Sequence, residues 1–174
     1  MKIVKVGMIG FGTIGAGVAK ILTDNDGIIS KRLGARVELV KVADLDITTD
    51  RGVELGADVL TTSVDDVINH PDIEVLIELI GGYDPAKKFL LQAIDHGKHI
   101  VTANKALLAK YGDEIFSAVS EKGLSIGFEA SIGGAIPIIR SVREAFVANH
   151  IKSIEGIVNG TANYILSKMS DENC

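Results

Sequence analysis

The residues Gly10-Phe11-Gly12-Thr13-Ile14-Gly15 match G-x-G-x-x-G, directly after an apolar run and at the opening of a helical pattern. At that place each glycine has a physical task in holding a dinucleotide. Gly10 permits the tight turn, Gly12 lets the backbone approach a pyrophosphate, and Gly15 lets helix and strand pack closely. Phe11, Thr13 and Ile14 complete the turn, and the helix start offers N–H groups and a partial positive charge to the phosphates. A strand–helix turn that needs glycine only for its φ angles is the plainer alternative. The strand before and the helix after favour the binding turn.

Asp44 closes the run Val40-Lys41-Val42-Ala43-Asp44, where an acidic residue would bind the ribose hydroxyls of NAD. It follows Gly15 by about thirty residues rather than roughly twenty. The Asp24-Asn25-Asp26-Gly27 insertion and Lys31-Arg32 account for the excess. A carboxylate there repels a 2′-phosphate, yet Lys41 and Arg51 lie close in sequence, so NAD and NADP both stay open. Gly81-Gly82 end a later strand and Thr102-Ala103 end the next, each near where a nicotinamide ribose would lie; a positive-φ turn and ordinary strand composition are their plainer readings. Lys105 follows at the same carboxyl edge, where open α/β sheets bind ligands, and its ammonium can hydrogen-bond a substrate oxygen. A solvated surface lysine is the alternative. His70, His96, His99 and His150 lack metal-ligand spacing and read as surface or capping residues.

The elements that must position these groups alternate along the chain. Lys2 to Ile9 reads as a strand, and Thr13 to Leu22 as a helix with Ile14, Val18, Ile21 and Leu22 on one face. Strands follow at Arg36 to Ala43, Val75 to Ile80, His99 to Thr102 and Leu124 to Phe128. A short helix from Val64 to Asn69 stops at His70-Pro71. Asp84 is expected to cap a helix with Pro85 at its first position and Gly97 just past its end, and helical stretches follow the strand ending at Thr102, as far as Lys122. Ala135 to Phe146 reads as an amphipathic helix, Ser153 to Val158 as a strand, and Thr161 to Met169 as a helix. The fold class is α/β, a doubly wound parallel sheet (Rossmann-like) with the beginning of a second α+β domain. Residues 1–130 are expected to form a dinucleotide-binding domain and 131–174 the incomplete start of a substrate or dimerisation domain. So small a second domain cannot close its own core, so the chain is expected to be truncated or to complete that core with a partner.

Composition removes other classes. The chain has 174 residues, a formal charge of −5 and 5% aromatics with no Trp, which argues against a nucleic-acid binder. One cysteine, Cys174, excludes an internal disulfide and a multi-cysteine metal site. No apolar stretch has the length of a membrane span, and the N-terminus does not read as a signal peptide, so a cytoplasmic protein is expected. Glycine is the outlier, at 19 residues.

Taken in order, Gly10 to Gly15, Ile80-Gly81-Gly82, Val101-Thr102-Ala103-Asn104-Lys105-Ala106, Glu129-Ala130-Ser131-Ile132-Gly133-Gly134-Ala135-Ile136-Pro137 and Gly156-Ile157-Val158-Asn159-Gly160-Thr161-Ala162-Asn163-Tyr164-Ile165-Leu166 closely resemble homoserine dehydrogenase. The resemblance runs along essentially the whole chain. It implies interconversion of L-homoserine and L-aspartate 4-semialdehyde with NAD or NADP, a step toward threonine and methionine, in a homodimer or tetramer when full length. It assigns Lys105 to the active site as the catalytic lysine, and sets Asn159-Gly160-Thr161 beside nicotinamide and substrate. It also implies a sodium ion held by the Glu129 side chain and the carbonyls of Ile132, Gly134 and Ile136; a helix-start carboxylate beside a glycine turn is the bland alternative. A second lysine and acidic residues that the family carries beyond the Asn159 turn are absent, so the chain reads as the cofactor-binding half, inactive alone. Another NAD(P)-dependent dehydrogenase of similar layout, or a non-catalytic dinucleotide-binding module, are the alternatives.

Overall fold

Strand β1 (Lys2–Ile9) becomes more buried along its length: Lys2 and Ile3 are exposed, while Val6, Met8 and Ile9 lie in the core of the computed structural model, which describes residues 1–157 and 159–172. Contacts divide the chain into two units, Met1–Gly134 and Ala135–Cys174. In the first unit β1 is followed by α1 (Thr13–Asp24), α2 (Asp26–Leu33), β2 (Ala35–Ala43), β3 (Leu60–Thr61), α3 (Asp65–Ile68) and β4 (Val75–Glu78). Then come α4 (Asp84–Asp95), β5 (His99–Thr102), α5 (Lys105–Glu121), β6 (Ile126–Gly127) and the short α6 (Glu129–Ile132). The strands form one sheet in the order β3-β2-β1-β4-β5-β6, every pair parallel. This is the Rossmann order, and its direction reverses between β1 and β4, the point at whose carboxyl edge open sheets of this kind bind ligands.

A parallel sheet must be covered on both faces, and the alternation of side chains divides the core accordingly. Val6, Met8 and Ile77 pack with Ala16 and Ala19 of α1, while Ile9, Leu76 and Ile100 pack with Leu90 and Ile94 of α4 and with Leu107 and Ile115 of α5. Each fully buried Leu or Ile contributes roughly 1.5–3 kcal/mol. Gly7 marks a register shift in β1, and a Cβ there would lie 2.6 Å from both Ile73 and Val67, so α3 and its loop need the bare backbone.

Several elements differ from the sequence expectation. Helix α1 turns Gly15, Ala16 and Ala19 inward and leaves Ile14 and Ile21 exposed, because the glycine turn brings this helix too close to the sheet for larger side chains. Within the Asp24–Gly27 insertion α1 ends at Asp24 and α2 starts at Asp26, running to a Gly34 cap at φ +72°. Tyr83, not Asp84, occupies the cap of α4 without a side-chain bond, and Asp84 is its first helical residue; Gly97 follows its end at φ +75° as expected. The strand expected over Leu124 to Phe128 is only Ile126–Gly127, and β3 has no sequence signal at two residues.

The second unit contains α7 (Ile138–Arg140), a π-helical turn at Ser141–Ala145 and α8 (Gly160–Glu172). The helix expected from Ala135 starts late, since Ala135 sits at φ +63° and Pro137 is non-helical. No strand forms over Ser153–Ile157, and Val158 lies outside the described residues. None of this unit's described residues is buried, so an extended segment there has no ladder partner to define it as a strand. Among the described residues no helix is long and apolar enough to cross a membrane.

Candidate functional site

The glycine turn joins β1 to α1 at the β1/β4 reversal. Gly10 has φ +100°, and its N–H donates to the Ala43 carbonyl at 2.8 Å. A Cβ on Gly15 would lie 2.2 Å from the Gly10 carbonyl oxygen, so any side chain there would force helix and strand apart. Gly12 differs. A Cβ there would meet no protein atom within 4 Å, so nothing inside the fold demands glycine. Gly12 is also the cap residue of α1; no side chain caps that helix, and its first turn holds no acidic residue. Bare backbone before an uncapped helix N-terminus fits an anion such as pyrophosphate. Thr13 and Ile14, which open the helix, are exposed.

Phe11 behaves differently from that expectation. Its ring is buried and its N–H donates to Asp44 Oδ2 at 2.5 Å, which ties the turn to the end of β2 and leaves this N–H engaged within the protein. Asp44 Oδ1 accepts the Asp46 N–H at 2.9 Å. A carboxylate has about four lone-pair sites, so roughly two remain for ribose hydroxyls. The charge around it is acidic. The hydroxyl and N–H of Thr49, then the N–H and hydroxyl of Thr48, hold the Asp46 carboxyl well below the usual range. Arg51 pairs with Asp46 at 3.3 Å, and the Lys41 ammonium donates to the Asp58 carbonyl.

On the other side of the reversal, β4 and β5 end in one hydrogen-bonded network. Register sets Glu78 beside Thr102. Glu78 is fully buried; its Oε1 accepts from the N–H groups of Ile80 (3.0 Å) and Gly81 (3.2 Å), and its Oε2 from the Thr102 hydroxyl (2.6 Å). Thr102 Oγ1 in turn accepts the Asn104 N–H at 3.0 Å. The Asn104 amide donates to the Gly82 carbonyl (2.8 Å), while its oxygen caps α5 through the Leu107 N–H (3.1 Å). Gly81 and Gly82 both have φ near +70°, a conformation that favours glycine. The Thr102 hydroxyl thus points into the protein, Ala103 is half-buried, and Lys105 is exposed on the first turn of α5 with Nζ 3.3 Å from the Ala130 carbonyl.

Of the expected cation ligands, Glu129, Ile132 and Gly134 share the turn around α6, with Glu129 half-buried; Ile136 belongs to the second unit, where its carbonyl accepts the Ile138 N–H. Among the described residues no cluster of three or more His, Cys, Asp or Glu side chains exists, so any cation here would rest mostly on carbonyl oxygens. Asn159 Oδ1 caps α8 through the Ala162 N–H at 2.8 Å. His70 and His96 make local backbone bonds, while His99 Nδ1 accepts the Ser125 N–H at 3.0 Å from the segment entering β6.

Two residues central to this network were not singled out from sequence. Glu78 is a lone acid inside the apolar run Val75-Leu76-Ile77-Glu78-Leu79-Ile80, and a charge within a doubly covered strand is the signal that marks it. Asn104 carries an N-cap signature, three residues before Leu107.

The strand order, the glycine turn at the reversal and the acid ending β2 define a dinucleotide-binding domain of the Rossmann class. The sequence matches the family described as homoserine dehydrogenase, NAD binding domain, over residues 10–129, and homoserine dehydrogenase over residues 137–174. This chain belongs to the homoserine dehydrogenase family. It is 45% identical to the homoserine dehydrogenase of Bacillus subtilis over 99% of its own length and 40% of that protein's, and 46% identical to that of Synechocystis over 97% and 39%. The crystal structure of a homoserine dehydrogenase from Thiobacillus denitrificans superposes with a TM-score of 0.91 at 44% identity, covering 100% of this chain and 40% of that one. A hyperthermophilic archaeal homoserine dehydrogenase in complex with NADPH matches at 26% identity and a TM-score of 0.79, covering 97% and 57%. The chain therefore spans about 40% of the length of the curated relatives it matches.

Proposed function

We propose that this protein is the cofactor-binding part, residues 1–130, of an enzyme that interconverts L-homoserine and L-aspartate 4-semialdehyde with NAD or NADP, residues 131–174 beginning its substrate and dimerisation domain. The observation that carries this reading is the position of Lys105: it opens α5 at the same carboxyl edge as the glycine turn, with its ammonium exposed. Gly12, Thr13 and Ile14 would hold the pyrophosphate, Asp44 the adenosine ribose, and the Gly81–Gly82 and Thr102–Ala103 backbone the nicotinamide end. The bound cofactor supplies a hydride donor or acceptor. Lys105 then holds the substrate's alcohol or carbonyl oxygen and passes a proton at that atom. Glu129, with the carbonyls of Ile132 and Gly134, supplies hard oxygen donors suited to sodium, which would brace the turn without entering the reaction. The same reading makes the protein cytoplasmic and the whole enzyme a homodimer or tetramer, with no nucleic-acid or membrane partner.

Calorimetric titration of the chain with NADH and NADPH tests the first half. Saturable binding of either supports it; no binding of either removes it. Joined to a complete substrate domain, the chain is expected to reduce NAD(P) with L-homoserine, and Lys105→Ala to lower kcat by roughly a hundredfold or more while leaving NADH affinity within about twofold. Equal loss of both would reassign Lys105 to cofactor binding alone.

A further inference from the structure

We propose that Glu78 is a positioning residue: its buried carboxylate joins the loop after β4 to the start of α5, and so sets the surface on which the nicotinamide half of the cofactor and Lys105 meet. The inference rests on the dinucleotide reading above. A carboxylate with no exposed surface has given up its hydration, and among the described residues no ion pair reaches it. If the strand needed only filling, an apolar side chain would serve at lower cost. The groups that compensate Glu78 are informative. They are two N–H groups of the Ile80–Gly81 loop and the hydroxyl of Thr102, all beyond or at the carboxyl ends of β4 and β5.

Direction in this network is fixed by chemistry. The Asn104 N–H can only donate, so Thr102 Oγ1 accepts from it and gives its own proton to Glu78. Asn104 then binds the Gly82 carbonyl with one end of its amide and caps α5 with the other. Glu78 therefore holds the same loop twice, through Gly81 directly and through Thr102 and Asn104 at Gly82. Lys105 is the residue after Asn104, on the turn that Asn104 caps. The adenosine end of the site lies across the sheet reversal at Gly12 and Asp44, and shares none of these bonds.

That separation provides the test. NADH spans both halves, whereas ADP reaches only the glycine turn and Asp44. Glu78→Gln is the probe: a carboxamide has one accepting oxygen, which can serve either the Thr102 hydroxyl or the Ile80 and Gly81 N–H groups, so the tie between them is broken at nearly constant volume. Calorimetric titration of the folded variant is expected to show NADH weakened roughly tenfold and ADP unchanged within about twofold. Equal weakening of both ligands, or of neither, would overturn the inference, because a general loss of stability has no reason to single out one half. Where Glu78→Gln fails to fold, Thr102→Ser and Thr102→Val decide. Ser keeps the hydroxyl and is expected to retain NADH affinity; Val keeps the shape without the hydroxyl and is expected to show the selective loss. Identical behaviour of the two would overturn the inference. Failure of the wild-type chain to bind NADH or ADP would instead remove the dinucleotide reading on which it stands, a result recognisable before any variant is made.

Discussion

Helices α1 and α5 both start at the carboxyl edge of the sheet, and their first turns are built in opposite ways. At α1 the cap is Gly12, no side chain bonds the free N–H groups, and the nearest carboxylate, Asp44, holds Phe11 just outside the helix. At α5 the cap is Asn104, its side chain bonds the Leu107 N–H, and a buried chain of bonds ties it to Glu78. A glycine cap forgoes a few tenths of a kcal/mol that Ser or Asp would supply. Other helices, α2 and α4 among them, also start without a side-chain cap, so what sets α1 apart is glycine at its cap on the β1/β4 reversal, where a ligand would find bare backbone. The capped start carries Lys105, and the role proposed for it would need a fixed backbone rather than free N–H groups.

The comparison breaks most completely at Gly15. In Gly15→Ala the new methyl would stand 2.2 Å from the Gly10 carbonyl oxygen, so β1 and α1 must separate. A loss of roughly 3 kcal/mol is expected, read as a fall in melting temperature together with loss of NADH binding. Gly12→Ala sharpens it, because the methyl there meets no protein atom. Stability should fall by only about 1 kcal/mol, while NADH affinity should fall roughly thirtyfold, about 2 kcal/mol, if that space belongs to the pyrophosphate. A Gly12→Ala protein that binds NADH normally would mean that α1 is bare for no ligand. On the capped side, Asn104→Ala removes the α5 cap and frees the Gly82 carbonyl, with an expected loss of about 1.5 kcal/mol in chemical denaturation and a weaker effect on ADP binding than on NADH.

The same contrast explains which parts were legible in the sequence. The β1–α1 unit could be read because local signals and tertiary demand agree there: an apolar strand, a glycine turn and a helix, each needed by the next. Its buried face could not, since periodicity favours Ile14 and Ile21 whereas close approach selects Gly15, Ala16 and Ala19. Lys105 and Asp44 were singled out as residue types at strand ends, and the structure places both at the carboxyl edge of the sheet. Glu78 and Asn104 were passed over because their significance lies in bonds across β4 and β5, and no spacing within one segment encodes a cross-strand partner. In the second unit the expected helix from Ala135 and strand from Ser153 lack any buried neighbour among the described residues, and a pattern without a core to pack against does not fix an element.

The smallest expected effect concerns the choice between cofactors, and it lies where the bare helix start meets the end of β2. Asp44 faces this region with two oxygens already accepting N–H groups, and Asp46 keeps its charge because Thr49 and Thr48 bond it. The two cations that sequence offered for a 2′-phosphate are turned elsewhere: Arg51 pairs with Asp46, and Lys41 reaches the Asp58 carbonyl. A 2′-phosphate would therefore meet carboxylates before it met a free cation. Like charges of this kind near a surface repel by about 1 kcal/mol, so NADH should bind roughly five- to tenfold more tightly than NADPH at low salt, and less so as salt screens the repulsion. Asp44→Asn removes one of the two charges but keeps a group able to bond a hydroxyl. It should narrow the NADH preference mainly by improving NADPH binding. A gain in NADPH affinity with NADH little changed would locate cofactor choice at Asp44; an unchanged ratio would shift it to Arg51, released from Asp46 when a phosphate arrives.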